Sequence, residues 1–412
     1  MKNVYDIKQE KGLCFILANE AKPVREFYSK RKVAIILYLY YFDTLENYFK
    51  YISCIDTGID VYIVTPLDSV RDKVKDYIKN TQRTNINIIM KPNTGRDISG
   101  LLIAAGQVVP DYEYVCFAHD KKEHSAETKE DTTLWVKNIW GNLIGGRGYV
   151  QQIIELFEQN KELGVLAPPA PVGEHFCTWY GYGWHGSFNA TKKLADRLGL
   201  KCDLQETKPP ITIGTALWFR TAALEKLFGY AWTYEDFDDV QLAHSDYVSY
   251  GVERIFAYVA QDAGYDTGEV MSSEYARKQN LFLQSSLTEI FHSLHAFFPF
   301  PTLAEVRKLP ANLQGMLEAA AAKKNIYLYG AGDAGRFCLS WLRKNGIEPK
   351  AFIVSSGKNI SDIDEIPVIN ISDYTDDENN SIIVTVVKEI PRIQIENILK
   401  ERKIGNYFVF WK

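Results

Sequence analysis

Apolar runs that alternate with helix-patterned segments between residues 32 and 122 constrain the fold more than anything else in the chain. Lys32–Tyr40 (KVAIILYLY), Val61–Val64, Ile86–Met90 and Tyr112–Ala118 read as buried strands. Leu45–Ile55 carries apolar residues at Leu45, Tyr48, Phe49, Ile52 and Ile55, a helical spacing. Ser69–Asn80 is a second helix with Ser69 as N-cap, and Ile98–Gln107 has the Leu and Ala content of a third. This order predicts an α/β fold: a mostly parallel sheet with helices on both faces.

Ligands of open α/β sheets bind just beyond the carboxyl ends of the strands. Two such ends carry dense polar groups within one βαβ unit. Asn93-Thr94-Gly95-Arg96-Asp97 follows one, and His119-Asp120-Lys121-Lys122 follows the next. Arg96 suits a phosphate or ribose, and Asp97 a base or ribose hydroxyl. The same residues would also make an Asx-type turn with an Arg–Asp surface pair. Asp120 can hold Mg²⁺ or Mn²⁺ against a diphosphate, because hard cations prefer oxygen ligands. Lys121 or Lys122 can instead neutralise the diphosphate as a point charge. A solvated charged loop is the bland alternative.

A chain of 412 residues predicts two or more domains. Its 46% hydrophobic and 24% charged residues are those of a globular protein, and a net charge of -5 argues against general affinity for nucleic acid. The 25 Tyr, 21 Phe and 8 Trp fit sugar-handling proteins and well-packed cores alike. Cys14, Cys54, Cys116, Cys177, Cys202 and Cys338 lie far apart with no CxxC pair, so no disulfide framework is expected. Cys54 and Cys116 sit in apolar segments and are expected in the core. Met1–Ser29 lacks a signal-peptide pattern, and no apolar run reaches the roughly 18 residues that span a bilayer. The expectation is a cytoplasmic protein with at most peripheral membrane association.

Further along, Cys14–Leu17 reads as a short strand, Leu134–Leu143 and Val150–Asn160 as helices, and Leu163–Ala167 as a strand. Residues 171–188 are rich in aromatics and glycine, among them Trp184 and His185. Ile211–Phe219 alternates as a strand, Thr221–Phe228 is a helix, and Asp246–Ala263 a long helix with Glu253 and Arg254. Glu235, Asp236, Asp238, Asp239 and Glu253 are candidates for a general base that takes a hydroxyl proton as a bond forms. Such a density of carboxylates equally suits a solvated face.

The strand pattern thins out from 280 to 320, and a new βα pattern begins at Asn325. Gly330-Ala331-Gly332-Asp333-Ala334-Gly335 follows the strand Ile326–Tyr329 and opens a helix, the context of a dinucleotide fingerprint. The acid expected about 20 residues on is missing, because the strand Ala351–Val354 runs into Ser355-Ser356. The glycines Gly330, Gly332 and Gly335 define a Rossmann-like module with a nucleotide-like loop. They also serve a tight turn and close helix packing without any ligand.

The first 290 or so residues resemble the rhamnan synthesis F family of bacterial glycosyltransferases. VAIILYLYYFDTLENYFKYI, PNTGRDISGLL, FAHDKKEHS, and ITIGTALWFRTAAL followed by YGVERIFAYVAQDAGY carry the resemblance. It implies a GT-A-like fold, a nucleotide-sugar donor and, by way of Asp120, Mg²⁺ or Mn²⁺. By position, Asn93, Gly95, Arg96 and Asp97 would line the donor pocket. His119, Asp120, Lys121 and Lys122 would stand where many such enzymes have Asp-x-Asp, with only one of the two carboxylates present. Trp184, His185, Gly214 and Arg254 would form the acceptor side, and Glu253 the base, with Asp239 and Asp246 in reserve. The implied donor is of the dTDP-rhamnose or UDP-galactofuranose type, and the acceptor a growing cell-surface polysaccharide such as O-antigen or capsule, lipid-linked or free. Other polysaccharide-assembly enzymes are the implied partners, and the inner face of the plasma membrane the implied location. A non-catalytic glycan or nucleotide-sugar scaffold and an NAD-binding oxidoreductase centred on GAGDAG are the alternatives. The expected layout is a transferase domain over 1–295, a helical linker over 296–324 and a Rossmann-like domain over 325–412.

Overall fold

The computed structural model describes residues 13–19, 27–30, 32–122, 129–170, 184, 186–206, 212, 214–237, 247–295, 311, 313–319, 322–355, 361–386 and 388–410. Contacts divide the chain into two compact units, Met1–Phe282 and Leu283–Lys412.

The sheet of the first unit contains β1 (Leu13–Leu17), β2 (Val33–Tyr38), β3 (Asp60–Thr65), β4 (Ile86–Met90), β5 (Tyr114–His119), β6 (Leu163–Ala167), β7 (Leu217–Arg220) and β8 (Asp266–Ser272). Their order is β1-β8-β6-β7-β5-β2-β3-β4. Neighbours run parallel except β7, which is antiparallel to β5 and β6. From β2 the chain steps to β3 and β4, then returns to β5 on the other side of β2. That reversal puts a topological switch point between β2 and β5, where crevices form at strand ends.

Both faces of β2 are covered, which is why it reads as an unbroken apolar run. Ile35, Leu37 and Leu39 enter one core cluster, while Ala34, Ile36 and Tyr38 enter the other. The helices around this sheet include α1 (Leu45–Ser53), α2 (Asp68–Thr81), α3 (Lys129–Leu143), α4 (Arg147–Gln159), α5 (Phe188–Arg197) and α6 (Val248–Asp262). Buried Arg83 donates to the carbonyls of Ile52 and Ile55, each at 2.8 Å, and so places a cation where the α1 carbonyls end.

Several expectations need correcting. The helix expected at Ile98 begins at Arg96 and passes after one turn into a π-helical stretch, Gly100–Ala104. The strand expected over Ile211–Phe219 starts only at Leu217, because Gly214 and Thr215 have φ of +82° and +46°, outside the β region. Cys54 is exposed at the end of α1, while Cys116 is buried as expected. Strand β8 and the helix α7 (Ser273–His295) lie where no element was expected. Among the described residues, no helix is long and apolar enough to cross a membrane.

The second unit has β9 (Asn325–Tyr329), β10 (Ala351–Val354), β11 (Asp362–Ile363), β12 (Ile366–Asn370), β13 (Asn380–Val384) and β14 (Tyr407–Val409), in the order β11-β12-β10-β9-β13-β14. Only β11 runs antiparallel to its neighbour. Helix α8 (Asp333–Lys344) follows β9, and α9 (Glu389–Glu401) follows β13. Gly330, at φ +124°, leaves no room for a side chain: a Cβ there would meet Thr385 Oγ1 and Val386 Cγ2 at 2.7 Å.

Candidate active site

The loop after β4 is built so that Asp97 faces the end of β5. Gly95 has φ +66°, and a Cβ on it would lie 2.5 Å from Phe237 Cβ and 2.7 Å from Ser99 Cβ, so only glycine fits. Buried Lys91 donates to the Thr94 carbonyl at 2.8 Å, and Ser99 Oγ donates to the same carbonyl at 2.7 Å. Arg96 is exposed and has φ +49°. Asp97 does not pair with it. It approaches His119 instead, whose Nε2 lies 4.0 Å from Asp97 Oδ2. Asn93 is exposed.

Across the switch point, Asp120 joins the ends of β5 and β2. Its Oδ2 accepts from the backbone N–H of Tyr40 at 2.8 Å and of Tyr41 at 2.7 Å. Its own N–H donates to the Tyr38 carbonyl at 3.0 Å. The side chain is buried, and burial pushes its carboxyl up to about 6, although both amides and nearby His119 favour the charged form. Burial, together with Asp97 and Asp120, also raises the Tyr38 hydroxyl.

His119 is clamped on every side. Nδ1 lies 2.9 Å from the Asp120 carbonyl oxygen, and Nε2 lies 2.9 Å from that of Gly214. The ring packs on Trp135 with centroids 5.0 Å apart, and its carbonyl accepts from Trp140 Nε1 at 3.0 Å. Lys121 Nζ lies over the Trp135 ring at 5.1 Å, and the Lys121 backbone is held through Tyr48, whose hydroxyl accepts from its N–H and donates to its carbonyl. Lys122 turns to the surface and pairs with Asp43.

On the far wall, Glu253 Oε1 accepts from the Gly214 N–H at 2.7 Å and lies 2.7 Å from Arg254 Nη1. Burial opposes ionisation of Glu253. The Arg254 charge and the Gly214 amide outweigh it and hold the carboxyl below the usual carboxylate range. Asp97, His119, Asp120, Gly214, Glu253 and Arg254 therefore meet in one cluster. Trp184 does not join the solvent side of it: its buried indole packs on Phe188 and, nearly parallel, on Tyr258. Asp236 is taken up by Thr233 and Arg197. His185, Asp238, Asp239 and Asp246 lie outside the described residues.

Sequence reasoning missed the amides of Tyr40 and Tyr41 and the role of Lys91. Backbone donors leave no residue-type signal, and Lys91 directly after a strand reads as an ordinary surface lysine. Among the described residues, no three His, Cys, Asp or Glu side chains are grouped to hold a metal. Asp120 still offers Oδ1, and a Mg²⁺-type site needs only one or two carboxylates when substrate phosphates supply other ligands.

A largely parallel sheet with one antiparallel strand, β7, next to β5 carries these charged loops at its carboxyl edge. The chain belongs to the rhamnan synthesis protein F family, whose model matches residues 1–265. Solved structures that the chain matches include a mannosyltransferase from Pyrobaculum calidifontis in complex with GDP-Man and Mn²⁺. It shares 11% identity, with 61% of this chain and 57% of that chain covered and a TM-score of 0.33. TarS 1–349 from S. aureus in complex with UDP shares 12% identity, with 59% and 60% covered and a TM-score of 0.33. The chain thus spans under two thirds of the length of either structure. No curated protein matches it.

Proposed function

We propose that the first unit transfers a sugar from a nucleoside-diphosphate sugar, of the dTDP-rhamnose or UDP-galactofuranose type, to a growing cell-surface polysaccharide. The observation that carries this reading is the meeting of Asp97, His119 and Asp120 at the switch point between β2 and β5. Asn93, Gly95, Arg96 and Asp97 form the donor side, and the Gly214 segment with Arg254 the acceptor side. The acceptor hydroxyl oxygen bonds to the anomeric carbon as the bond to the diphosphate breaks. Its proton passes to a carboxylate. With Glu253 engaged by Gly214 and Arg254, Asp239 and Asp246 are the candidates for that step.

In this reading Lys121 or Lys122 would neutralise a diphosphate leaving at the end of β5, and Arg96 is exposed on the loop after β4. When Mg²⁺ or Mn²⁺ is bound, Asp120 would hold it and it would share in neutralising the diphosphate. Positioning and fixed charge supply most of the acceleration in this scheme. A membrane-face location and partners in polysaccharide assembly follow from the same reading, because the acceptor is built there.

The test is release of nucleoside diphosphate from dTDP-, UDP- and GDP-sugars, with Mg²⁺ or Mn²⁺ and an oligosaccharide acceptor. One donor class should be consumed. If none is consumed while a nucleoside diphosphate still binds, the protein is a nucleotide-sugar-binding scaffold and the transfer reading fails.

A further inference from the structure

Gly214 and Thr215 are consecutive left-handed residues, with φ of +82° and +46°. A β-branched threonine rarely adopts this conformation. Such a backbone persists only where its surroundings hold it, and these positions concentrate at functional sites. Here both polar groups of Gly214 are tied. Its N–H donates to Glu253 Oε1 on α6, and its carbonyl lies 2.9 Å from His119 Nε2 at the end of β5. The Trp135 ring lies 3.2 Å from the place a Gly214 Cβ would take, so the tight approach and the φ of +82° together favour glycine in the turn. Buried Arg254, 2.7 Å from the same Glu253 oxygen, fixes the carboxylate in turn.

The chain of contacts thus runs from Arg254 through Glu253 and Gly214 to His119, and ends beside Asp97. A general base must reach the proton it abstracts. Glu253 Oε1 is already bonded to the Gly214 backbone, whose N–H it receives, and lies against the Arg254 guanidinium.

We propose that Glu253 is a positioning residue: it holds the Gly214 turn, and through the Gly214 carbonyl it sets the His119 ring against the donor crevice. This rests on the transfer reading for its catalytic consequence, but the physical link can be measured without turnover. Glutamine keeps an oxygen that accepts from the Gly214 N–H, and alanine does not. A proton acceptor would be lost in both.

The experiment compares wild type, Glu253→Gln and Glu253→Ala for kcat and donor KM. It also records histidine ring ¹⁵N spectra, with the His119 signals assigned through His119→Gln. Glu253→Gln should keep kcat within about threefold and leave the His119 Nε2 signal in place. Glu253→Ala should lower kcat on the order of a hundredfold, as expected for misplaced groups, and move that signal. Glu253→Gln with Arg254→Met removes both charges together, and its His119 Nε2 signal, not its kcat, should match that of Glu253→Gln if the single variant folds poorly for want of a counter-charge. Equal loss of kcat in the Gln and Ala variants, with the His119 signal unmoved in both, would overturn the proposal and restore Glu253 as base. A His119 signal that moves as described in a protein that consumes no donor would sink the transfer reading and leave the link standing.

Discussion

At the end of β5 the chain places a histidine, a buried carboxylate and two lysines, whereas at the end of β9 it places glycines. Both positions are switch points of parallel sheets. In the second unit β9 sits between β10 and β13, just as β2 sits between β3 and β5 in the first. At the β9 crevice the backbone is shaped: Gly330 closes on Thr385 and Val386, while a Cβ on Gly332 would meet nothing within 4 Å. Where a dinucleotide site would put an acid, Ser355 Oγ is paired with the Tyr329 hydroxyl at 2.8 Å. At the β2–β5 crevice the side chains are fixed: Asp120, His119 and Glu253 each bond to backbone groups. Glycine spacing alone describes how a turn closes. Ionisable groups fixed against one another describe what a crevice can do.

The sharpest way to break this contrast is to discharge the first crevice. Replacing Asp120 and Lys121 together by Ala should reduce transfer at least a hundredfold, the scale of losing fixed charge at a reacting centre. Assay of nucleoside diphosphate release checks it, and full activity would remove the loop from the mechanism. Next in size are the glycines. Gly95→Ala should destabilise the first unit by about 2 kcal/mol or more, from the left-handed backbone and the clash with Phe237 and Ser99. Gly332→Ala, with open space around it, should stay within about 0.5 kcal/mol in urea melts. Equal effects would mean that the two loops are not held differently.

A smaller effect concerns Asp120. Burial raises its folded pKa from 3.8 to about 6, so the folded state holds this proton more tightly than the unfolded chain does. The stability it contributes is present below pH 3.8 and lost as pH rises through about 6. Asp120→Asn keeps an acceptor for the Tyr40 and Tyr41 amides without the buried charge. Its stability relative to wild type should rise between pH 5 and pH 8, on the order of 1 kcal/mol. A pH-independent difference in thermal melts would show that Asp120 ionises without cost. Smallest of all, NAD⁺ should leave the melting of the chain unchanged, because no acid stands at the end of β10 to take its ribose hydroxyls; a clear shift would restore the oxidoreductase alternative.

Much of the first crevice is legible in the sequence because parallel strands buried on both faces are unbroken apolar runs, and the polar residues that follow them fall at one edge. Strand β8 escapes that logic. DTGEVMS carries little apolar signal, yet Thr267 and Gly268 are buried between β1 and β6, and a Cβ on Gly268 would lie 3.0 Å from Leu13. Partners made that strand, not its own pattern. Glu253 shows the same limit at the site. A sequence displays a carboxylate on a helix and suggests a base, but its actual partner is the backbone N–H of a residue 39 positions away. Trp184, which the resemblance put at the acceptor side, is buried with its indole packed on Tyr258 and Phe188.

The measurement that bears most directly on the account is a thermal-shift titration of the full chain with dTDP, UDP and GDP, each with and without Mn²⁺, in wild type and in the Asp120→Ala, Lys121→Ala double variant. A ligand that binds only the folded state raises its melting temperature by mass action. The account predicts a shift with one nucleoside diphosphate in wild type and its loss in the variant. No shift with any diphosphate, or the same shift in both proteins, would contradict a donor site at the ends of β2 and β5.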